Sequence, residues 1–132
     1  MAEISRRVMI VDDDPDFLEQ MRMCLESRGY SVSSASSVQE CENQLKETEP
    51  DVVVLDLMMD NEDDGFVLSY RIKKQFPKMP VIIVTSMTHE TGMDFDETDD
   101  PGHWIKADAI LAKPIRFEQL DREITRLMRE RA

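Results

Sequence analysis

The chain has 132 residues, 41% of them hydrophobic, which suits one domain that buries its core without disulfides. Its net charge of -12 argues against direct binding to nucleic acid, because phosphate backbones require clustered lysine and arginine. No N-terminal run resembles a signal peptide and no stretch approaches a membrane span, so we expect a cytoplasmic protein.

Residues 8–11 form the first apolar run, and acids and a proline follow it directly. Such a run is too short for a helix, so it predicts a strand that is buried on both faces of a parallel sheet. Pro15 favours the first turn of a helix, and Asp14 is suited to be its N-cap. Asp12 and Asp13 remain as carboxylates at a strand end, which favours a bound divalent cation; solvated loop acids are the alternative.

The next predicted elements are a helix, an edge strand and a second helix. The first helix is amphipathic and is expected to end at Gly29. Residues 30–35 alternate weakly and contain few large apolar groups, which predicts a strand at a sheet edge. A second helix is predicted over residues 37–48. Cys24 and Cys41 lie on the apolar sides of these helices, so we expect small core residues in a reducing compartment.

Residues 52–55 are another unbroken apolar run, which predicts a buried strand that ends in Asp56. Ligands of open α/β sheets bind beyond the carboxyl ends of the strands, so Asp56 lies where a site is expected; an ordinary loop residue is the alternative. Residues 57–64 form an acidic loop that Gly65 closes. The expected buried residues of the third helix are Phe66, Tyr70, Ile72 and Phe76.

Residues 81–84 predict a fourth strand, which ends in two hydroxyl residues. Thr85 and Ser86 stand where the earlier strands have carboxylates, although strand propensity alone also favours threonine there. Residues 88–104 are expected to form a long, partly mobile acidic loop with at most a short helix. Its acids are expected to be solvated, and binding of a basic partner or of extra cations is the alternative.

Residues 109–112 predict a fifth strand, which ends in Lys113 and precedes a last amphipathic helix. Strands and helices thus alternate five times, which implies an α/β, doubly wound parallel sheet with helices on both faces. The carboxyl ends of parallel strands meet at one edge of such a sheet. The side chains expected at this edge are Asp12, Asp13, Asp56, Thr85 and Lys113.

These five side chains are suited to hold a phosphoryl group on an aspartate. Asp56 would be the nucleophile, because a carboxylate can form an aspartyl phosphate. Magnesium and Lys113 would offset the charge of the transferred oxygens, and Thr85 would donate a hydrogen bond to one of them. Each signal is weak singly, but their joint occurrence at strand ends is not expected by accident.

The pattern from Val8 to about Met128 resembles the receiver domain of two-component response regulators. The residues that carry the resemblance are the acidic pair Asp12-Asp13, Asp56 within Val54-Leu55-Asp56-Leu57-Met58-Met59, Thr85 followed by the small Ser86, and Lys113-Pro114. The resemblance implies a flavodoxin-like sheet of five parallel strands in the order 2-1-3-4-5. It also implies one receiver domain over residues 1–132, with its core in 6–130, and a cis peptide before Pro114.

The resemblance further implies how the site operates. Asp56 is the phosphoacceptor, and its donor is a phosphohistidine of a sensor histidine kinase or of a histidine phosphotransfer protein. Asp13, Asp56 and the backbone carbonyl of Met58 bind Mg2+ (or Mn2+) directly, and Asp12 helps through water. The residues that contact the phosphoryl group are Thr85 and Lys113.

Some positions depart from the usual pattern of this family. Members usually have proline four residues after the phosphoacceptor and glycine eight after it, whereas here Asp60 replaces the proline and Gly65 comes nine after. Members usually place tyrosine or phenylalanine three residues before the lysine, and Ile110 holds that switch position here. The segment between Thr85 and Lys113 is longer than usual. We therefore expect an altered loop, unconventional switch coupling and a displaced or disordered fourth helix.

Met58 and Met87 are expected to tune the lifetime of the phosphorylated state. They follow Asp56 and Thr85 by two residues, where the family often has polar groups that align the attacking water. Thioethers neither orient water nor admit it readily, so we expect a long-lived phosphorylated state. Replacing Met58 with Asn and Met87 with Glu should speed the loss of phosphate, which intact mass measures as a function of time. An unchanged rate of loss would contradict this prediction.

We expect a phosphorylation-controlled signalling module whose only catalysis is its own phosphotransfer and slow autodephosphorylation. The chain ends shortly after its last helix, so output is expected through a separate partner, as a relay intermediate or phosphate sink, or through a homodimer. A piece of a longer regulator is an alternative. A magnesium-dependent phosphohydrolase is less favoured, because Met58 stands where such enzymes commonly need a second aspartate. A binding-only module is favoured only by Ile110 and the altered loop.

Overall fold

The computed structural model describes residues 6–57, 64–85, 107–113 and 115–131. Its strands are β1 (Arg7–Val11), β2 (Ser31–Ala35), β3 (Val52–Asp56), β4 (Val81–Thr85) and β5 (Ala109–Ala112). The helices of the described ranges are α1 (Pro15–Glu26), α2 (Val38–Glu47), α3 (Asp64–Gln75) and α4 (Phe117–Arg131). Within those ranges, none of the helices has the length and apolar character that crossing a membrane requires.

The five strands form one parallel sheet in the order β2-β1-β3-β4-β5, which confirms the predicted topology. The strands β3 and β4 lie inside the sheet, and all their residues are buried. Because helices cover both faces, these strands have no solvent side, which accounts for their unbroken runs of Val, Ile and Leu. The strand β2 lies at one edge and exposes alternate residues, as predicted for residues 30–35.

The sheet separates two hydrophobic cores, because successive side chains of a strand point to opposite faces. In β1, β3 and β4 the odd-numbered residues enter the first core, with α2 and α3; Met9, Val53 and Ile83 are examples. The even-numbered residues, such as Ile10 and Val54, enter the second core with α1 and α4. Helices therefore cover both faces, and the doubly wound architecture is confirmed.

Both the start and the end of α1 agree with the sequence analysis. The Asp14 carboxylate accepts hydrogen bonds from the backbone N–H groups of Asp16 and Phe17, so Asp14 is the N-cap. The last helical residue is Glu26, and the Ser27 hydroxyl donates to a carbonyl of the last turn at 2.6 Å. Gly29, at φ 93°, terminates the helix as expected: its N–H donates to the Glu26 carbonyl at 3.0 Å, and the Tyr30 N–H donates to the Leu25 carbonyl at 3.2 Å.

The prediction for the buried face of α3 is correct except at Tyr70. Phe66 and Ile72 are buried, and Phe76 packs against the first core. Tyr70 is 46% exposed, because the inward position one residue earlier belongs to the fully buried Ser69. In a helix, the adjacent residue lies about 100° further around the axis, which points Tyr70 away from the sheet.

Cys41 confirms its predicted role as a core residue, whereas Cys24 belongs to neither of the two cores. Cys41 is fully buried in the first core, with its Sγ 3.7 Å from Met9 Sδ, and Cys24 is half-buried. Burial raises the pKa of the Cys41 thiol to about 12. Since the thiolate is the reactive form, Cys41 is inert at neutral pH.

Candidate functional site

Three carboxylates converge at the carboxyl end of the sheet. The parallel pairing of β1 with β3 places Val11 opposite Leu55, so that Asp12 and Asp56 are the next residues on the two strands. One oxygen from each of Asp12, Asp13 and Asp56 lies within 4.8 Å of the other two. The structure thus brings together the acids that the sequence placed at strand ends.

Asp12 is the most buried member of this carboxylate cluster, with 1% of its surface exposed. Its Oδ1 accepts a hydrogen bond from the Asp14 backbone N–H at 2.9 Å, and its Oδ2 accepts one from Lys113 Nζ at 3.0 Å. Burial raises the pKa of Asp12, although both of these contacts oppose the rise. The side chain is therefore held in one place by a donor two residues along the chain and by a second donor from the end of β5.

Lys113 reaches the cluster from the end of β5. Its backbone N–H donates to the Thr85 carbonyl at 2.8 Å, which continues the β4–β5 pairing by one residue. Its Nζ lies 3.0 Å from Asp12 Oδ2 and 3.5 Å from Asp56 Oδ1. Burial lowers the pKa of Lys113, but the hydrogen bond and the charge of Asp12, followed by Asp56, outweigh it and the pKa is raised. The ammonium is thus charged at neutral pH.

Asp56 ends β3 and is 8% exposed. Burial raises its pKa to about 6, and the charge of Asp12 adds to the rise while Lys113 opposes it. The free carboxylate is therefore less stable here than in water, but it remains the main form above pH 6. A buried, ionised carboxylate that faces an ammonium can act as a nucleophile.

The floor of the site is a tight contact between β3, β4 and the start of α3. Thr85 is 2% exposed at the end of β4, one residue beyond the Val84 that pairs with Asp56. The N–H of Leu57 donates to the carbonyl of Val84, and the N–H of Gly65 donates to the carbonyl of Leu57, both at 2.8 Å. The residue after the phosphoacceptor candidate is therefore fixed from two sides.

Ile110 is half-buried in β5, pairs with Ile83 and packs against the first core. A branched aliphatic side chain therefore occupies the position where the resemblance would place an aromatic switch residue. The predicted site residues Met58, Ser86, Met87 and Pro114 lie outside the described residues, as does the predicted acidic loop over 88–104.

Sequence reasoning did not assign Phe17 to this site. Its ring centroid lies 4.5 Å from Lys113 Nζ, within the range of a cation–π contact. Phe17 falls on the apolar face of the predicted amphipathic first helix, a position that indicates packing. The signal that could have found it is its position four residues after Asp13, on the first turn of the helix that Asp14 caps.

The carboxylate cluster fits a divalent cation. Its donors are carboxylate oxygens, which are the hard ligands that Mg2+ prefers. With all groups ionised, the described part of the site has three carboxylates and one ammonium, an excess of negative charge that a cation would balance. Asp12, Asp13 and Asp56 could therefore hold Mg2+.

The comparisons with known proteins point to one family. The family model of the response regulator receiver domain matches residues 8–125. The transcriptional regulatory protein GlrR of Escherichia coli (strain K12) is 42% identical over 65% of this chain and 19% of its own length. Protein RcaC of Microchaete diplosiphon is 30% identical over 98% of this chain and 19% of its own length. The chain thus spans about a fifth of the length of these curated relatives.

Solved structures agree with the sequence relatives. The CheY-like receiver domain protein of Methanospirillum hungatei JF-1 has a TM-score of 0.82 and 26% sequence identity, over 97% of both chains. A receiver domain protein from Clostridium thermocellum has a TM-score of 0.79 and 26% identity, over 95% of both chains. These likenesses cover the sheet, the helices and the strand ends that carry the carboxylate cluster.

Proposed function

This chain belongs to the response regulator receiver domain family of two-component signalling, and on that premise we propose that Asp56 accepts a phosphoryl group from a phosphohistidine. The observation that supports Asp56 most is its position, buried within 3.5 Å of Lys113 and in one cluster with Asp12 and Asp13. A carboxylate, a cation and a cation-binding cluster are the parts that phosphoryl transfer requires.

The proposed step transfers the phosphoryl group from the donor imidazole to Asp56. A carboxylate oxygen of Asp56 forms a bond to phosphorus as the bond from phosphorus to the donor imidazole nitrogen breaks, and the imidazole leaves with that electron pair. With a pKa of about 6, Asp56 is mainly ionised at neutral pH and needs no separate base. Lys113 then donates to one phosphoryl oxygen and Thr85 to another.

Receiver domains bind Mg2+ at an acidic pocket, and we propose that Asp13, Asp56 and the Met58 backbone carbonyl are its direct ligands here. Asp12 would act through water, because its oxygens already accept from Asp14 and Lys113. Mn2+ would suit the same oxygen donors. When bound, the cation neutralises charge that develops on the transferred oxygens.

The proposed partners follow from this chemistry. The phosphate donor is a sensor histidine kinase or a histidine phosphotransfer protein, and the phosphorylated form changes its binding to a downstream protein or to a second copy of the chain. Several relatives are named as transcriptional regulatory proteins, in which the matched segment is about a fifth of the length. We propose a cytoplasmic location and no direct contact with nucleic acid, in keeping with the net charge of -12.

Incubation with magnesium and a small acyl phosphate, followed by intact mass, tests the proposal. We expect one phosphoryl adduct on the wild type, and its loss in Asp56→Ala or when a chelator removes magnesium. Asp51→Ala is the matched control, because Asp51 lies just before β3, at the end of that strand opposite to Asp56, and its carboxylate accepts a hydrogen bond from the Arg7 backbone N–H at 2.8 Å. This control should retain the adduct.

Two results would contradict the proposal. An adduct that persists in Asp56→Ala would place the phosphate on another residue. A wild type that takes up no phosphate from the acyl phosphate or from candidate kinases would favour the binding-only module instead.

A further inference from the structure

Among the described residues, side chains from three different elements lie close to the ammonium of Lys113. Asp12 and Asp56 supply carboxylate oxygens from β1 and β3, at 3.0 Å and 3.5 Å from Nζ. The third neighbour is the ring of Phe17 from α1, whose centroid is 4.5 Å from Nζ. The Lys113 side chain is 24% exposed, so most of its surface is covered by these groups and by the sheet.

The position of Phe17 follows from the local sequence. Pro15 and the Asp14 cap start α1 two residues after Asp13, and the Phe17 N–H donates to the Asp14 carboxylate at 3.4 Å. The ring is half-buried and packs against the second core. The segment that supplies the acidic pair therefore also places a ring face beside the cation.

A ring face and a carboxylate act differently on an ammonium. The negative face of the ring attracts the charge, whereas each carboxylate oxygen takes up an N–H donor. Lysine has three such donors. A ring on one side of Lys113 therefore holds the charge in place and leaves a donor for a further oxygen, and it keeps water from that side.

We propose that Phe17 is a positioning residue of this site, whose ring face holds the Lys113 ammonium beside Asp12 and Asp56, so that a phosphoryl oxygen on Asp56 meets a cation already in place. A leucine at this position would fill similar space without the attractive ring face. The kinetic consequence rests on the proposed function, but the contact itself does not. The two are tested separately.

The contact is tested on the metal-free, unphosphorylated protein. In NMR spectra the Hε protons of Lys113 should be shifted by the ring current in the wild type and in Phe17→Tyr, and should lose that shift in Phe17→Leu. A double-mutant cycle compares the effect of Phe17→Leu in the wild type with its effect in Lys113→Met. The decrease in the folding equilibrium constant should be about two- to fivefold larger in the wild type, where the lysine is present. An equal decrease of the folding equilibrium constant with and without the lysine would mean that Phe17 contributes only packing.

The kinetic consequence is tested by the rate of adduct formation with magnesium and acyl phosphate. Phe17→Leu should slow it about two- to fivefold, the factor that a cation–π contact supplies, and Phe17→Tyr should restore it. Phe117→Leu is the control, because it removes the ring that lies 5.0 Å from Arg28 and leaves Lys113 with its own ring. It should keep the wild-type rate.

The outcomes separate the two proposals. An unchanged rate in Phe17→Leu, together with no coupling in the cycle, overturns the role of Phe17 while the phosphoacceptor stands. A wild type without an adduct overturns the proposed function, and the cycle and the ring-current shift then decide alone whether Phe17 holds Lys113.

Discussion

Gly65→Ala is expected to lower the free energy of unfolding by about 3 kcal/mol, because the added methyl group has no room. A Cβ at this position would lie 2.5 Å from the Leu57 Cα, 2.7 Å from the Asp56 carbonyl oxygen and 3.0 Å from the Leu57 carbonyl oxygen. These are backbone atoms at the end of a fully buried strand, so they cannot rotate away as a side chain could. The start of α3 must move away from β3 instead.

The same displacement should reach the site, because the clash involves the backbone of Asp56 itself. We therefore expect Gly65→Ala to form the phosphoryl adduct more slowly than the wild type, as well as to unfold at lower urea concentration. The glycine closes the loop one residue later than the family usually has it, and this contact explains why a glycine is still needed there.

Gly29→Ala is the matched control for this prediction. Nothing lies within 4 Å of a Cβ at Gly29, and its cost comes only from the backbone conformation at φ +93. Left-handed backbone costs a residue with a Cβ about 1–2 kcal/mol. Urea unfolding should thus give Gly65→Ala a lower free energy of unfolding than Gly29→Ala. Gly29→Ala should also keep the wild-type rate of adduct formation. The reverse ranking would contradict a steric role for Gly65.

Asp56→Asn is expected to raise the free energy of unfolding by about 3 kcal/mol at about pH 7.5 without divalent cations. Burial is the main reason that the pKa of Asp56 rises from 3.8 to about 6, and the charge of Asp12 is the next. One pKa unit corresponds to about 1.4 kcal/mol between the two protonation states. The charged form of Asp56 is thus destabilising in the folded chain, and a neutral amide of the same shape removes that cost.

The gain should depend on pH, with a sign that follows from the raised pKa. Between pH 3.8 and about 6 the folded chain keeps a proton on Asp56 that the unfolded chain has lost. The contribution of Asp56 to stability is therefore fully present below pH 3.8 and is lost as the pH rises through about 6. Near pH 4, urea unfolding should give similar free energies of unfolding for the wild type and Asp56→Asn. The difference between them should increase as the pH rises. A difference that does not change with pH would contradict the assignment to Asp56.

Two further measurements show whether the gain comes from the buried site. Magnesium should stabilise the wild type more than Asp56→Asn, because a ligand that binds the folded state adds to its stability. The difference between their free energies of unfolding should therefore become smaller. Asp13→Asn removes the same charge from an exposed member of the carboxylate cluster. Asp13→Asn should raise the free energy of unfolding less than Asp56→Asn does, since an exposed charge has lost less of its hydration than a buried one.

Most of the fold could be predicted because its signals are local. The buried strands β3 and β4 are unbroken apolar runs, and a strand without a solvent side can have no other composition. The Asp14 cap of α1 was predicted for the same reason, since a cap depends on neighbouring backbone groups. Gly29 was predicted to terminate α1 for a similar reason, since the left-handed backbone after a helix favours glycine.

By itself the sequence determined the order of the elements, the two-sided sheet and the strand ends at which Asp12, Asp56, Thr85 and Lys113 lie. The reason is that the period and the length of apolar runs follow directly from which faces of an element are buried. Only the tertiary structure decided which groups touch. Lys113 pairs with Asp12 across 101 positions of the chain, the Phe17 ring lies beside that ammonium, and Gly65 fits against the Asp56 carbonyl. Such contacts depend on distances between segments that no local pattern encodes, and so do the raised pKa values of the buried carboxylates.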